Sequence, residues 1–139
     1  MEAIYEWFRL LNETTGINLT IIYDAYDRGR MIEGFLNTIY LSFVCLALSV
    51  LIGIVGAWLQ RSPLIWTRRI VQGYIQFFRN TPPLVQMYFF YFALGSVIPR
   101  MENEYGIMEP MLNNWHWAIL SLSFFAGSFN VEIFRSGIE

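Results

Sequence analysis

Charged residues punctuate this chain, and the stretches between them set its architecture. Nothing charged occurs from Gly34 to Gln60, from Asn80 to Pro99 or from Pro110 to Val131, gaps of 27, 20 and 22 residues. An α-helix rises about 1.5 Å per residue and the hydrocarbon core of a bilayer is about 30 Å thick, so roughly 20 apolar residues cross it. Each gap qualifies. The pattern predicts an all-α membrane protein with three transmembrane helices, at about 34–59, 82–99 and 114–132. The first holds the nearly unbroken run "IYLSFVCLALSVLIGIVGAWL", whereas Asn113, Asn114 and His116 trim the start of the third.

Helical periods also occur outside the gaps. Ala3, Ile4, Trp7, Phe8 and Leu11 recur as one apolar face in residues 1–33, which predicts an amphipathic helix at the membrane interface; a frayed tail is the alternative. Ile70, Val71, Tyr74, Ile75 and Phe78 share a face of a second interfacial helix ahead of the second span. Within the first span Cys45, Ser49, Gly53 and Ala57 recur every four residues, a spacing that lets another helix approach closely if it is not chance.

Between the second interfacial helix and the second span stands "FFRNTPPLVQ", residues 77–86. Thr81 suits the N-cap of the span, and Pro82 suits its first position, where the missing N–H has no partner to lose. Pro83 continues that logic, and Asn80 is expected to leave the helix as the chain extends before proline. Arg79 is expected to rest its guanidinium at the phosphate layer. The stretch Arg79, Asn80, Thr81, Pro82, Pro83 is therefore an elbow, and a candidate for gating.

Composition supports the membrane class. The chain is 55% hydrophobic, 18% aromatic and only 14% charged, against about a quarter charged in ordinary soluble domains. Its basic residues are all arginine, and the formal net charge of −2 gives no reason to expect nucleic acid as a partner. Disorder is excluded by the apolar content. A cleaved signal peptide fits poorly, because the amino terminus is acidic and the first apolar run starts late and is too long.

Charge also predicts orientation. Residues 1–33 carry −3, the linker with Arg61, Arg68, Arg69 and Arg79 carries +4, and the 99–114 loop carries −2. Basic residues in short loops stay cytoplasmic. The amino terminus and the 99–114 loop are thus expected outside, and the linker and Glu139 inside.

Most other chemistry is dismissed. The one histidine, His116, and the one cysteine, Cys45, fall on different spans, so no metal site or other cofactor is expected. His116 between Trp115 and Trp117 reads as part of an interfacial aromatic belt. The aspartates, Asp24 and Asp27, precede the first span, which excludes an intramembrane aspartyl protease, and "AGSF" at 126–129 lacks the glycine a serine protease needs after Ser128. Asn37, Gln86 and Asn130 are polar groups in or near the hydrocarbon; they either bond neighbouring helices or line a substrate path. Glu132 and Arg135 stand at i,i+3 and can pair on one helical face.

The segment "FFRNTPPLVQMYFFYFALG" resembles the signature of polar amino-acid permeases of the ATP-binding-cassette importer superfamily, in which an Arg-Gly-Thr-Pro or Arg-Asn-Thr-Pro elbow precedes Leu-Val-Gln and an aromatic helix. "GFLNTIYLS" at 34–42 resembles the family's first span. "FAGSFNVEIFRSGIE" at 125–139 resembles its Ala-Tyr-x-Ala-Glu-x-x-Arg-Gly-Gly-Ile; Glu132 and Arg135 match, while Phe129, Val131 and Ser136 depart. The resemblance covers about residues 34–139, a membrane permease domain preceded by the external segment 1–33. It implies the amino-terminal part of a five-helix permease fold; the family continues into a cytoplasmic Gly-Gln-x-Glu-Ala-Ala coupling loop and two further spans, and this chain is expected to stop before that loop.

What the resemblance implies for function is a non-enzymatic subunit that forms the translocation pathway of an ATP-driven importer for polar amino acids. Its partners would be a second permease subunit, identical or not, cytoplasmic ATPases, an external amino-acid-binding protein and membrane lipid, in a bacterial inner membrane. Glu132 and Arg135 would lie at the end that couples to the ATPase. The rival class is a non-transporting membrane assembly or regulatory protein, or a truncated permease remnant, that keeps the first three helices.

Overall fold

The computed structural model describes residues 2–138, so the expected cytoplasmic placement of Glu139 lies outside the described residues. The chain falls into two compact units, Met1–Leu41 and Ser42–Glu139.

The first unit contains α1 (Glu2–Thr15), α2 (Thr20–Tyr23) and the start of α3 (Ala25–Gln60). The expected amphipathic helix forms, with no buried residue; Ile4, Trp7 and Leu10 are exposed, and Trp7 meets Phe8 edge-on at 4.9 Å. It ends at Gly16, whose φ of 72° closes the turn by returning its N–H to the Asn12 carbonyl. Asp24 caps α3 by accepting the Tyr26 N–H at 2.8 Å. The first long helix therefore begins nine residues before the charge-free gap, taking Asp27, Arg28, Arg30 and Glu33 into its first turns.

The second unit is built on a seam between α3 and α7 (Asn114–Ile138). Cys45, Ser49, Gly53 and Ala57 are all buried, together with Gly56, so the expected small-residue stripe is a packing surface. A methyl group at Gly53 would collide with Asn130 and Phe134, and one at Gly56 with Val131. The facing side of α7 is also small: Gly127 has no room for a Cβ beside Ile52, and Ser121 and Ser128 are fully buried. Helices come this close only where side chains are nearly absent.

Onto this pair packs α4 (Ile65–Asn80), through Val71, Ile75 and Phe78, with Tyr74 half-buried; Ile70, expected on the same face, is exposed. Val71, Ile75 and Val131 form the core cluster. The chain then turns into α5 (Pro83–Tyr88), a π-helical segment at Phe89–Leu94 and the single turn α6 (Gly95–Val97). At about 1.5 Å per residue this run is about 22 Å long. Among the described residues two helices, Ala25–Gln60 and Asn114–Gly137, are long and apolar enough to cross a membrane by themselves, and Pro83–Val97 is shorter.

The expected loop at 99–114 holds a hairpin, β1 (Arg100–Glu102) against β2 (Met108–Pro110), with Met101 opposite Glu109. Its turn is organised by Asn103, whose Oδ1 accepts the N–H groups of Tyr105 and Ile107 at 2.9 Å, and by Gly106 at φ 76°. Such side-chain turns are the reason Asn and Gly punctuate strands. At the start of α7 Asn113 caps the helix, and His116 Nδ1 accepts the Asn113 N–H at 3.2 Å in return. This reciprocal cap gives His116 a local structural role.

Candidate functional site

The elbow is a consequence of its two prolines. Each N–H that would continue α4 past its end should bond the carbonyl four residues back, but residues 82 and 83 have none. The carbonyls of Phe78 and Arg79 are thereby left without their helical donors. Gln86, one turn into α5 and 2% exposed, supplies the replacement for Phe78. Its Nε2 donates towards the Phe78 carbonyl at 2.8 Å, the Thr81 carbonyl at 2.8 Å and Thr81 Oγ1 at 2.6 Å, while Thr81 Oγ1 donates to the Phe77 carbonyl at 2.7 Å. One side chain of α5 thus closes the end of α4.

This geometry corrects three expectations. Thr81 is not the N-cap of the second span; it is the extended C-cap of α4, at φ −113° and ψ 136°. Pro82 is not the first helical residue either. It precedes a proline and is therefore driven to ψ 139°, so it becomes the cap, and Pro83 opens α5. Asn80 remains in α4 as its last residue, because the restriction falls on Thr81 and not on the residue before it.

Arg79 reaches across to α7. Its guanidinium forms an ion pair with Glu132 and lies 5.0 Å from the centre of the Phe129 ring. The expected same-helix pairing of Glu132 with Arg135 gives way to this cross-helix contact. Arg135 donates instead to Gln60 Oε1 at 3.3 Å, and Gln60 Nε2 reaches Gln72 Oε1 at 3.5 Å. Both ends of the pair are about 40% exposed, at 38% and 42%, so the contact is screened and modest in energy.

A further tie is the Tyr74 hydroxyl, which donates to the Phe124 carbonyl at 2.5 Å. Burial pushes its phenol well above the ordinary value, so it keeps the proton it donates. Phe78 stacks on Phe124 at 5.6 Å and meets Tyr74 at 5.0 Å, which joins α4 to α7 through an aromatic cluster beside the elbow.

Of the polar candidates within the apolar gaps, Asn130 and Gln86 are used in packing. Asn130 Nδ2 donates to Ser49 Oγ at 3.1 Å, and that hydroxyl donates back into its own helix at the Leu46 carbonyl. Asn37 is half-buried on the part of α3 that belongs to the first unit. Among the described residues Gln86 Oε1 and the hydroxyls of Ser121 and Ser123 are buried with no hydrogen-bond partner. The roles of Phe129, Tyr74 and Gln60 had no signature in the sequence beyond aromatic or amide type. The small face of α7 did in part: Ser121 and Ser128 stand seven residues apart, two turns along one face.

Comparison with known proteins agrees with this architecture. Residues 49–139 match the family described as binding-protein-dependent transport system inner membrane component. The chain is 30% identical over 107 residues to the histidine/lysine/arginine/ornithine transport system permease protein HisQ of Salmonella typhimurium, covering 77% of this chain and 47% of that protein. It is 26% identical over 123 residues to the nopaline transport system permease protein NocM of Agrobacterium fabrum, covering 88% and 50%. It is likewise 26% identical over 126 residues to the probable glutamine ABC transporter permease protein GlnM of Bacillus subtilis, covering 88% and 51%. A crystal structure of an amino acid ABC transporter with histidines shares the fold at a TM-score of 0.70 and 22% identity, over 88% of this chain and 52% of that one. The chain spans about half the length of the curated relatives it matches.

Proposed function

Because this chain belongs to the family of binding-protein-dependent transport system inner membrane components, we propose that it is a membrane-spanning subunit of an ATP-driven importer for polar amino acids. The observation that carries the substrate class is the run of amino-acid permeases among its relatives, named for histidine-type substrates, nopaline and glutamine. Nothing in those names favours the rival of a non-transporting assembly protein.

In this reading α3, Pro83–Val97 and α7 are the spans, with the acidic amino-terminal unit and the hairpin outside and the arginine-bearing linker in the cytoplasm. The short second span is compatible with a membrane protein whose irregular backbone is buried among other helices. The subunit itself performs no covalent chemistry. A second permease subunit completes the pathway, an external binding protein delivers the amino acid, and cytoplasmic ATPases supply the energy. The elbow, held by Gln86 and tied to α7 by Arg79 and Glu132, is the element through which movement of the interfacial helix α4 reaches the spans.

Deleting the gene in its host and measuring uptake of each labelled polar amino acid tests this. Loss of ATP-dependent uptake of at least one of them, restored by the intact gene, is the expected result. Unchanged uptake of all of them, together with no ATPase or binding protein co-purifying with the tagged subunit, overturns the reading.

A further inference from the structure

The linker after α3 carries charge that the chain does not itself neutralise. Arg61, Arg68 and Arg69 are exposed, and none is paired with an acid among the described residues, whereas Arg79 is taken by Glu132. Arg61 stands one residue past the end of α3, where an apolar span meets the polar edge of a bilayer. It also borders two grooves. With Ile54, Ala57, Trp58, Ile133 and Phe134 it lines an apolar one of about 590 Å³. With Ser62, Leu64 and Thr67 it lines a second of about 540 Å³, and Trp58 borders both.

We propose that this is a binding site for an anionic phospholipid. The acyl chain lies in the first groove, against Ile54, Trp58 and Phe134, and the phosphodiester sits at the mouth of the second, held by the Arg61 guanidinium. A guanidinium presents its donors in a planar fork that matches two phosphate oxygens, so arginine suits this position. Thr67, on the first turn of α4, offers a hydroxyl from the same groove. Charge complementarity selects the occupant: three unneutralised arginines attract an anionic headgroup, and basic pockets beside membrane helices hold such lipids. The apolar groove selects a lipid over a free phosphate, since a soluble anion would leave it uncovered. Trp58 and Trp66, 73% and 71% exposed, flank the position as tryptophans do at headgroup depth.

The proposal rests on the membrane placement of the chain and is independent of what it transports. The full chain is extracted from vesicles of phosphatidylcholine and phosphatidylglycerol, and the lipids it retains are counted by native mass spectrometry. Retention of phosphatidylglycerol over phosphatidylcholine is expected, falling about fivefold in R61Q, the scale of one arginine at an anionic surface. R61K should recover part of the preference, and R100Q, on the hairpin, should leave it unchanged. Glycerol phosphate in excess should not displace the retained lipid. Equal retention of the two lipids by the unaltered chain, an equal loss in R100Q, or displacement by glycerol phosphate would each overturn the site.

Discussion

The seam between α3 and α7 and the elbow between α4 and α5 hold helices together by opposite means. At the seam most contact is shape: Gly53 lies against Asn130 and Phe134 and Gly56 against Val131, with no space for an added carbon, and Ala57 is buried beside them. Its polar contacts are few: Asn130 donates to Ser49, Cys45 reaches the Ile119 carbonyl and Arg135 donates to Gln60, while Ser49 and Ser128 also bond carbonyls of their own helices. At the elbow two prolines delete the donors that the end of α4 requires, and the fold answers with one buried amide, one hydroxyl and an ion pair. Inside a membrane the two strategies differ in what they permit. Close packing with few directional bonds tolerates no added volume, while a side-chain bridge across a break in the backbone leaves a joint that can bend.

The largest effect is expected from adding volume at the seam. Gly56→Leu places a branched side chain where Val131 already stands, and overpacking of this kind costs about 1–3 kcal/mol or more. Unfolding of the purified chain in a denaturing detergent should show the loss, and Gly73→Leu, whose added carbon meets nothing within 4 Å, should show almost none. Equal sensitivity of the two glycines would mean that the seam is looser than its geometry.

Next comes the amide of the elbow. Gln86→Leu keeps the volume but strips the donor from the Phe78 and Thr81 carbonyls, and an orphaned buried acceptor costs about 1–3 kcal/mol. Pro82→Ala restores an N–H at the position that would reach the Phe78 carbonyl in a continuous helix. The double variant Pro82→Ala with Gln86→Leu should therefore recover part of the stability lost in the single one, at the expense of straightening the joint. Strictly additive losses would show that Gln86 and the residue at 82 do not answer the same carbonyl.

How far each region was legible follows from these physics. The seam could be read because packing by small residues is periodic and local: the four-residue spacing from Cys45 to Ala57 marks the face before any partner is known. The burial of Val71, Ile75 and Phe78 was legible for the same reason. The elbow's position was legible from its prolines, but its bonding was not. Gln86 answers carbonyls five and eight residues earlier, and Arg79 meets Glu132 across 53 positions, which no period encodes. The capping residue lies one position later than the threonine suggests, because the restriction a proline imposes on its predecessor applies to Pro82 itself. The π segment at Phe89–Leu94 has no sequence signal in a row of aromatics, and the start of α3 was hidden by charges that a helix carries without difficulty at its end.

The smallest effect lies at a buried place where the seam borrows the elbow's method. Asn130 donates across from α7 to Ser49 on α3, and it also presents the Cβ that packs on Gly53. Asn130→Ala removes the amide and keeps the Cβ, so it isolates the hydrogen bond from the packing. Interhelical hydrogen bonds in membranes are worth about 0.6 kcal/mol on average, because the separated helices find other partners. Here the loss is further limited, since Ser49 retains its bond to the Leu46 carbonyl when Asn130 is gone. A double-mutant cycle with Ser49→Ala, followed by detergent unfolding, should return a coupling of about half a kcal/mol. A coupling as large as the cost of Gly56→Leu would erase the contrast between the two regions, because the seam would then depend on a directional bond as much as the elbow does.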